Sequence, residues 1–288
     1  MGRWWIGGVA LLAVLALSGC RASGSGSGGT AGAGAGSGPL PSSMAALGDS
    51  ITSGFGTCLV LADCQRNSWA TGDGAIVVSH YKRILSGNKA IKGHVANYAQ
   101  AGATAADLSA QAGQAAAGRP SYLTIMIGAN DACRPTIDGM TSAAVFATEV
   151  NTALARVKVL SPQTRILMVS IPDIYHLWEI GHGSKVVRAV WADRVCPSLL
   201  ANALSEAPAD VSRRQRFKDR VDAYEEQLAL SCKSYGSLCK WDGGAVHGFV
   251  FGLSQISALD FFHPNAEGQN RIAKLSYPQA FGWGGNAA

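Results

Sequence analysis

The sequence predicts an α/β domain built on a parallel β-sheet, and two observations carry that prediction. From Met44 onward, short apolar runs alternate with amphipathic segments of helical period, the pattern of βαβ units. Roughly 240 residues are available to that pattern, enough to bury one sizeable core.

The chain before Met44 stands apart. Arg3 precedes an apolar stretch from Trp4 to Leu17, followed by Ser18-Gly19-Cys20, the layout of a secretory signal. The ending Leu17-Ser18-Gly19-Cys20 resembles a bacterial lipobox, which implies lipidation of Cys20 and loss of the residues before it. Residues 22–38 are only Ala, Ser, Gly and Thr. Such a segment buries too little apolar surface to offset its ordering entropy, so residues 21–43 are expected to act as a flexible tether. Acyl chains on Cys20 would hold an exported protein to the outer face of the cell membrane, with its folded part clear of the lipid. The expected organisation is a signal at 1–20, a linker at 21–43, a domain at 44–282 and a tail at 283–288.

Within the domain the elements follow in order. Strands are expected over 44–47, 94–98, 122–127, 165–171 (stopped by Pro172) and 246–251. A helix is expected over 75–85. Another places Phe146, Val150, Leu154 and Val157 on one face, and a third does the same with Phe217, Val221, Tyr224 and Leu228. Pro264 suits the first position of a terminal helix. Residues 173–210 show no clear period and read as an insertion along one wall of a cleft. Trp178, Trp191 and Phe251 fit a core or an acyl-binding wall equally well.

Charge and cysteines narrow the class. The net charge is +5, and the one basic cluster, Arg213-Arg214-Gln215-Arg216, reads as the solvated start of a helix. It is too narrow a face for nucleic acid. Beside Cys20 there are Cys58, Cys64, Cys133, Cys196, Cys232 and Cys239, an even number that reads as three disulfides in an exported chain. Cys58 with Cys64 and Cys232 with Cys239 are near enough to close short loops, which would leave Cys133 with Cys196, although spacing alone does not fix connectivity. A metal site is the competing reading, but the chain has no Cys-x-x-Cys pair and no His-x-x-x-His spacing.

The chemistry gathers at four places. Gly48-Asp49-Ser50-Ile51, Gly102 and Asn130 each follow an expected strand, and the carboxyl ends of parallel strands share one edge. Asp260 lies three residues before His263, a spacing that lets the carboxylate hold one ring nitrogen. Serine becomes a useful nucleophile when an imidazole takes its proton and a carboxylate fixes the tautomer. The Ser50 and Gly102 backbone N–H groups and the Asn130 amide would face the oxyanion, where loss of one donor typically costs about 3 kcal/mol of barrier. Asp49 and Asp131 read as turn hydrogen-bonders, His80 and His94 as ordinary helix and strand positions, and His176, His182 and His247 as bystanders, with lining the cleft as their alternative.

These blocks resemble those of the SGNH hydrolases, also called the GDSL esterases and lipases. Gly48-Asp49-Ser50-Ile51 matches the nucleophile block, with isoleucine where leucine is commoner. Gly102 matches the glycine block, Gly128-Ala129-Asn130-Asp131 the asparagine block, and Asp260-Phe261-Phe262-His263 the final Asp-x-x-His block. The resemblance implies a flavodoxin-like three-layer α/β/α fold and ester hydrolysis through an acyl-enzyme. Ser50 would be nucleophile, His263 general base and acid, and Asp260 its orienter, with no metal or organic cofactor. Several exported actinobacterial members carry three disulfides in sequential pairing. The expected partners are an ester substrate (small molecule, lipid or polysaccharide) and a membrane through the lipid anchor, for a chain acting as a monomer. A carbohydrate O-acetyl esterase is the alternative within enzymes; a surface-anchored binding lipoprotein with a vestigial site is the alternative outside them.

Overall fold

The computed structural model describes residues 38–283. The signal segment with Cys20, the tether as far as residue 37 and residues 284–288 of the tail lie outside them. Five strands, β1 (Met44–Gly48), β2 (Val95–Asn97), β3 (Tyr122–Met126), β4 (Arg165–Met168) and β5 (Cys239–Trp241), form one all-parallel sheet. Their order is β2-β1-β3-β4-β5, the doubly wound arrangement of the flavodoxin type. β1 and β3 are buried along their whole length, as strands covered on both faces must be. Gly48 sits opposite Met126, so the turns after β1 and β3 leave the sheet side by side.

The α-helices are α1 (Ser50–Ser53), α2 (His80–Gly87), α3 (Leu108–Ala117), α4 (Ala129–Ala132), α5 (Ala143–Leu160), α6 (Ile174–Gly181), α7 (Lys185–Trp191), α8 (Pro197–Leu200), α9 (Pro208–Tyr235) and α10 (Ala266–Ser276). The chain runs outward from β1 to β2 and then crosses back past β1 to β3. With right-handed crossovers, that reversal sends successive helices to opposite faces. α3, α5 and α9 accordingly pack side by side as one layer. α2 and α10 meet in the other layer at His80, over Tyr122 of β3.

His80 is no ordinary helix position. It is fully buried, with Nδ1 2.9 Å from the Tyr122 hydroxyl and Nε2 3.0 Å from Ser276 Oγ. Ser276 donates to the Ile272 carbonyl, so it accepts from Nε2–H, and Tyr122 donates to Nδ1. The neutral ring is thus fully satisfied. Burial, helped by nearby Arg83, pushes its pKa down to about 3. Because the folded pKa lies below the unfolded one, the unfolded chain takes up the proton first as pH falls. Stability from this site is complete above about pH 6.5 and is lost toward about pH 3, by at most about 1.4 kcal/mol per pH unit. Thermal unfolding of the protein is expected to fall in midpoint between pH 6.5 and 4, and less steeply in His80→Gln. Equal slopes would assign the acid lability to other groups.

Four expectations are corrected. The fifth strand is Cys239–Trp241, not 246–251. Gly243 and Gly244 both take positive φ, and Asp242 Oδ1 accepts from the Gly244 amide, so the apolar run beyond them turns across the sheet's carboxyl edge instead of extending. The helix expected over 75–85 begins at His80, where the Ser79 hydroxyl caps it by accepting from Lys82 N. Pro264 is not the first residue of α10; it bridges Ile256, and Asn265 caps a helix starting at Ala266. The basic cluster is not a solvated face. Arg214 is buried with its guanidinium 4.4 Å from the Trp178 ring centre, Arg213 pairs with Asp210, and of the three arginines only Arg216, paired with Asp138, is open to water.

The disulfides are Cys58–Cys64, Cys133–Cys196 and Cys232–Cys239. Cys133–Cys196 ties the segment after β3 to the insertion, which folds as α6, α7 and α8.

Candidate active site

Three loops at the carboxyl edge of the sheet and one before α10 build the site. Gly48 closes β1 at a φ of 146°, where an added Cβ would lie 2.2 Å from the Met126 carbonyl oxygen. Only glycine lets the chain turn there. Asp49 then caps α1 by accepting from Ile51 N at 2.9 Å, which leaves Ser50 as the first residue of that short helix. Asp49 has the turn role expected of it. Burial pushes its carboxyl up to about 7, and its Oδ2 has no partner among the described residues.

His263 Nε2 lies 2.8 Å from Ser50 Oγ, and His263 Nδ1 lies 2.6 Å from Asp260 Oδ2. Nδ1–H donating to the carboxylate fixes the tautomer in which Nε2 accepts from the serine hydroxyl. Asp260 Oδ1 accepts from the backbone amides of Phe262 and His263, at 2.9 and 3.1 Å. Burial alone would raise the Asp260 pKa. The bonds from the ring and the two amides outweigh it and hold the carboxyl below its ordinary value. It is the charged form that faces the imidazole.

The donors expected for an oxyanion converge on the same edge. The Ser50 N–H, in the first turn of α1, has no helical carbonyl behind it. Gly102 is exposed at a φ of 84°, and its N–H makes no hydrogen bond within the described residues. Asn130 gives one of its two amide hydrogens to the Ala103 carbonyl at 2.9 Å, which leaves the other. Asp131, next to it, accepts from Ala105 N at 2.9 Å. These two bonds stitch the glycine loop to the asparagine loop. Asp131 therefore does more than hold its own turn, and burial raises its pKa.

Of the residues that fix the frame, sequence reasoning passed over Gln111 and Gln269 and read Trp191 only as core or acyl-binding wall. Gln111 of α3 grips Gly48 with both ends of its amide, accepting from N at 2.8 Å and donating to O at 3.0 Å. Gln269 of α10 accepts from Trp69 N and donates to the Ile51 carbonyl, both at 2.8 Å. Trp191, buried, donates from its indole to the Phe261 carbonyl at 3.0 Å and so holds the loop that carries Asp260 and His263. The available signal was a glutamine or tryptophan on an otherwise apolar helical face. Trp178 is likewise structural, bonding the Ala203 carbonyl, whereas Phe251 lines a cavity. His176 pairs with Glu179 and also lines that cavity, while His182 bonds the Trp178 carbonyl and His247 the Ile171 carbonyl; none reaches the triad residues.

Two spaces adjoin the loops that carry the serine and the imidazole, and of the two only the open cleft is lined by a triad residue. One is an apolar cavity of about 30 Å³ lined by Ile51, Leu177, Ile180, Phe251 and Phe262. The other is an open cleft of about 700 Å³ lined by His263, Asn130, Arg134, Arg194 and Phe262. The insertion contributes to both, as expected of a cleft wall.

A family model for GDSL-like lipases and acylhydrolases matches residues 44–276. Among curated protein sequences, none matches the chain. Among solved structures it resembles a protein described as a GDSL-like lipase from Parabacteroides merdae, at 16% identity over 81% of this chain and 92% of that one, with a TM-score of 0.51. It also aligns with an extracellular lipase from Streptomyces rimosus (16% identity, 81% and 99% covered, TM-score 0.48). A family 3 carbohydrate esterase from Talaromyces cellulolyticus aligns as well (15% identity, 82% and 95% covered, TM-score 0.49). The match over most of the domain, with its four blocks gathered at one sheet edge, is decisive: the chain belongs to the GDSL-like lipase/acylhydrolase family.

Proposed function

We propose that the protein is a serine ester hydrolase that works through an acyl-enzyme and favours short acyl chains. The observation that carries this reading is the unbroken relay from Ser50 Oγ through His263 to Asp260. Ser50 attacks the ester carbonyl as His263 Nε2 takes its proton. Asp260 stabilises the imidazolium, and the Ser50, Gly102 and Asn130 N–H groups receive the oxyanion. His263 returns the proton to the departing alkoxide, and a water then repeats the sequence in reverse to free the acid.

The size of the apolar cavity supports short chains. A volume of about 30 Å³ has room for about two water-sized groups, so an acetyl or propionyl tail fits without displacing Ile180 or Phe262. As part of the same proposal, the protein is exported and held to the membrane surface by lipid on Cys20, on the strength of the Leu17-Ser18-Gly19-Cys20 ending.

The test is hydrolysis of p-nitrophenyl esters from acetate to palmitate, together with labelling by an active-serine phosphonate. The expected kcat/KM is highest for acetate to butyrate and falls by octanoate, while Ile180→Ala moves the optimum toward longer chains. Activity rising to palmitate would overturn the short-chain reading. Absence of both turnover and labelling would leave a binding protein.

A further inference from the structure

The open cleft carries charge that the triad does not use. Arg134 and Arg194 line it beside His263, and neither guanidinium is paired with a carboxylate among the described residues. The one carboxylate in the lining, Asp260, has both oxygens engaged by the His263 ring and by two backbone amides. The cleft is therefore cationic, whereas the cavity on the other side of Phe262 is apolar.

The two segments that carry these arginines are tied together, and Arg134 is further anchored. Arg134 follows Cys133, Arg194 precedes Cys196 by two residues, and the Cys133–Cys196 disulfide clamps the two segments together. The Arg134 backbone adds two bonds to Ser198, its N–H donating to the hydroxyl at 3.1 Å and its carbonyl accepting from the amide at 3.0 Å. Arg134 is half-buried, so part of the cost of ordering it is already met before any ligand arrives. Guanidinium groups in this setting match phosphate and carboxylate oxygens.

Which end of an ester lies in the cleft follows from the chemistry. The leaving alkoxide takes its proton from His263, whose ring lines the cleft, while the apolar cavity suits the acyl tail. We infer that the preferred substrates carry an anionic group, phosphate or carboxylate, on the alcohol portion of the ester, bound by Arg134 and Arg194. This rests on the ester-hydrolase reading above.

The test compares three acetyl esters that differ only in charge: 1-acetylglycerol, 1-acetylglycerol 3-phosphate and 3-acetylglyceric acid. The protein is expected to show kcat/KM about tenfold higher for at least one charged ester than for the neutral one, and the advantage shrinks as salt is raised. Which ester gains distinguishes a phosphate site from a carboxylate site. Arg134→Gln with Arg194→Gln should bring the charged-to-neutral ratio to about one. Arg194→Gln alone, at an exposed position, should lower the ratio in a variant that keeps the core intact. A ratio of one in the wild type, or an advantage that survives the double substitution, overturns the inference. Calorimetric binding of glycerol 3-phosphate and of glycerate, compared between wild type and the double variant, is read without turnover. Loss of p-nitrophenyl acetate hydrolysis would count against the enzyme reading, and absence of anion binding against this one.

Discussion

Replacing Ser50 with alanine is expected to lower kcat/KM for p-nitrophenyl acetate by at least about 10⁴-fold, with the fold unchanged. The serine hydroxyl is the group that His263 Nε2 touches, at 2.8 Å, and the proton taken from it there is what makes it a nucleophile. Alanine removes one oxygen from a buried helix start whose cap, Asp49 to Ile51 N, does not involve it. Unfolding midpoints should therefore agree to within a few degrees, and phosphonate labelling should vanish. A variant that kept a tenth of the activity would move the nucleophile elsewhere.

Asp260→Asn is expected to cost about 10³- to 10⁴-fold in kcat with little change in KM. The reason lies in the carboxylate's two sets of partners. Its Oδ1 accepts from the Phe262 and His263 amides, so an asparagine would keep its carbonyl there and turn its NH₂ toward His263 Nδ1. A donor facing Nδ1 drives the ring to the other tautomer, with the hydrogen on Nε2, pointing at Ser50. The serine then meets a donor where it needs an acceptor. The opposite rotamer would restore the tautomer but leave two amides facing an NH₂, which costs stability instead. Steady-state kinetics with a parallel denaturation curve separates these outcomes, and a loss under tenfold would mean that the Asp260 carboxylate does not orient the ring.

Much of this architecture was legible before any coordinates. The runs ending at Leu47 and Ile127 are short, apolar and followed at once by glycine, the run ending at Tyr98 leads to Gly102, and all three mark strands of the sheet. The fifth strand was not legible because Cys239–Trp241 is a half-buried edge of three residues, too short to show a period. Val246 to Phe251 looked like a strand because the run has apolar residues at both ends, yet Val246 and Phe251 are buried in a turn-rich segment and not in a strand. Arg213 to Arg216 looked solvated because charge usually is; Trp178 and the Ser205 carbonyl, far apart in local pattern, make room for Arg214 inside.

What the sequence by itself determined was the list of candidate reacting groups and their meeting place. A parallel sheet forces the ends of its strands onto one edge, so Ser50, Gly102 and Asn130 converge whatever the details of packing. Only the tertiary structure decided what frames and surrounds them: Gln111 gripping Gly48, Trp191 holding the Phe261 carbonyl, an apolar cavity on one side and two arginines on the other. The physical reason is range. Strand ends, turns and caps are set by neighbours within a few residues, whereas the partner of a buried amide or the sign of a cleft depends on segments that meet only after the chain has folded.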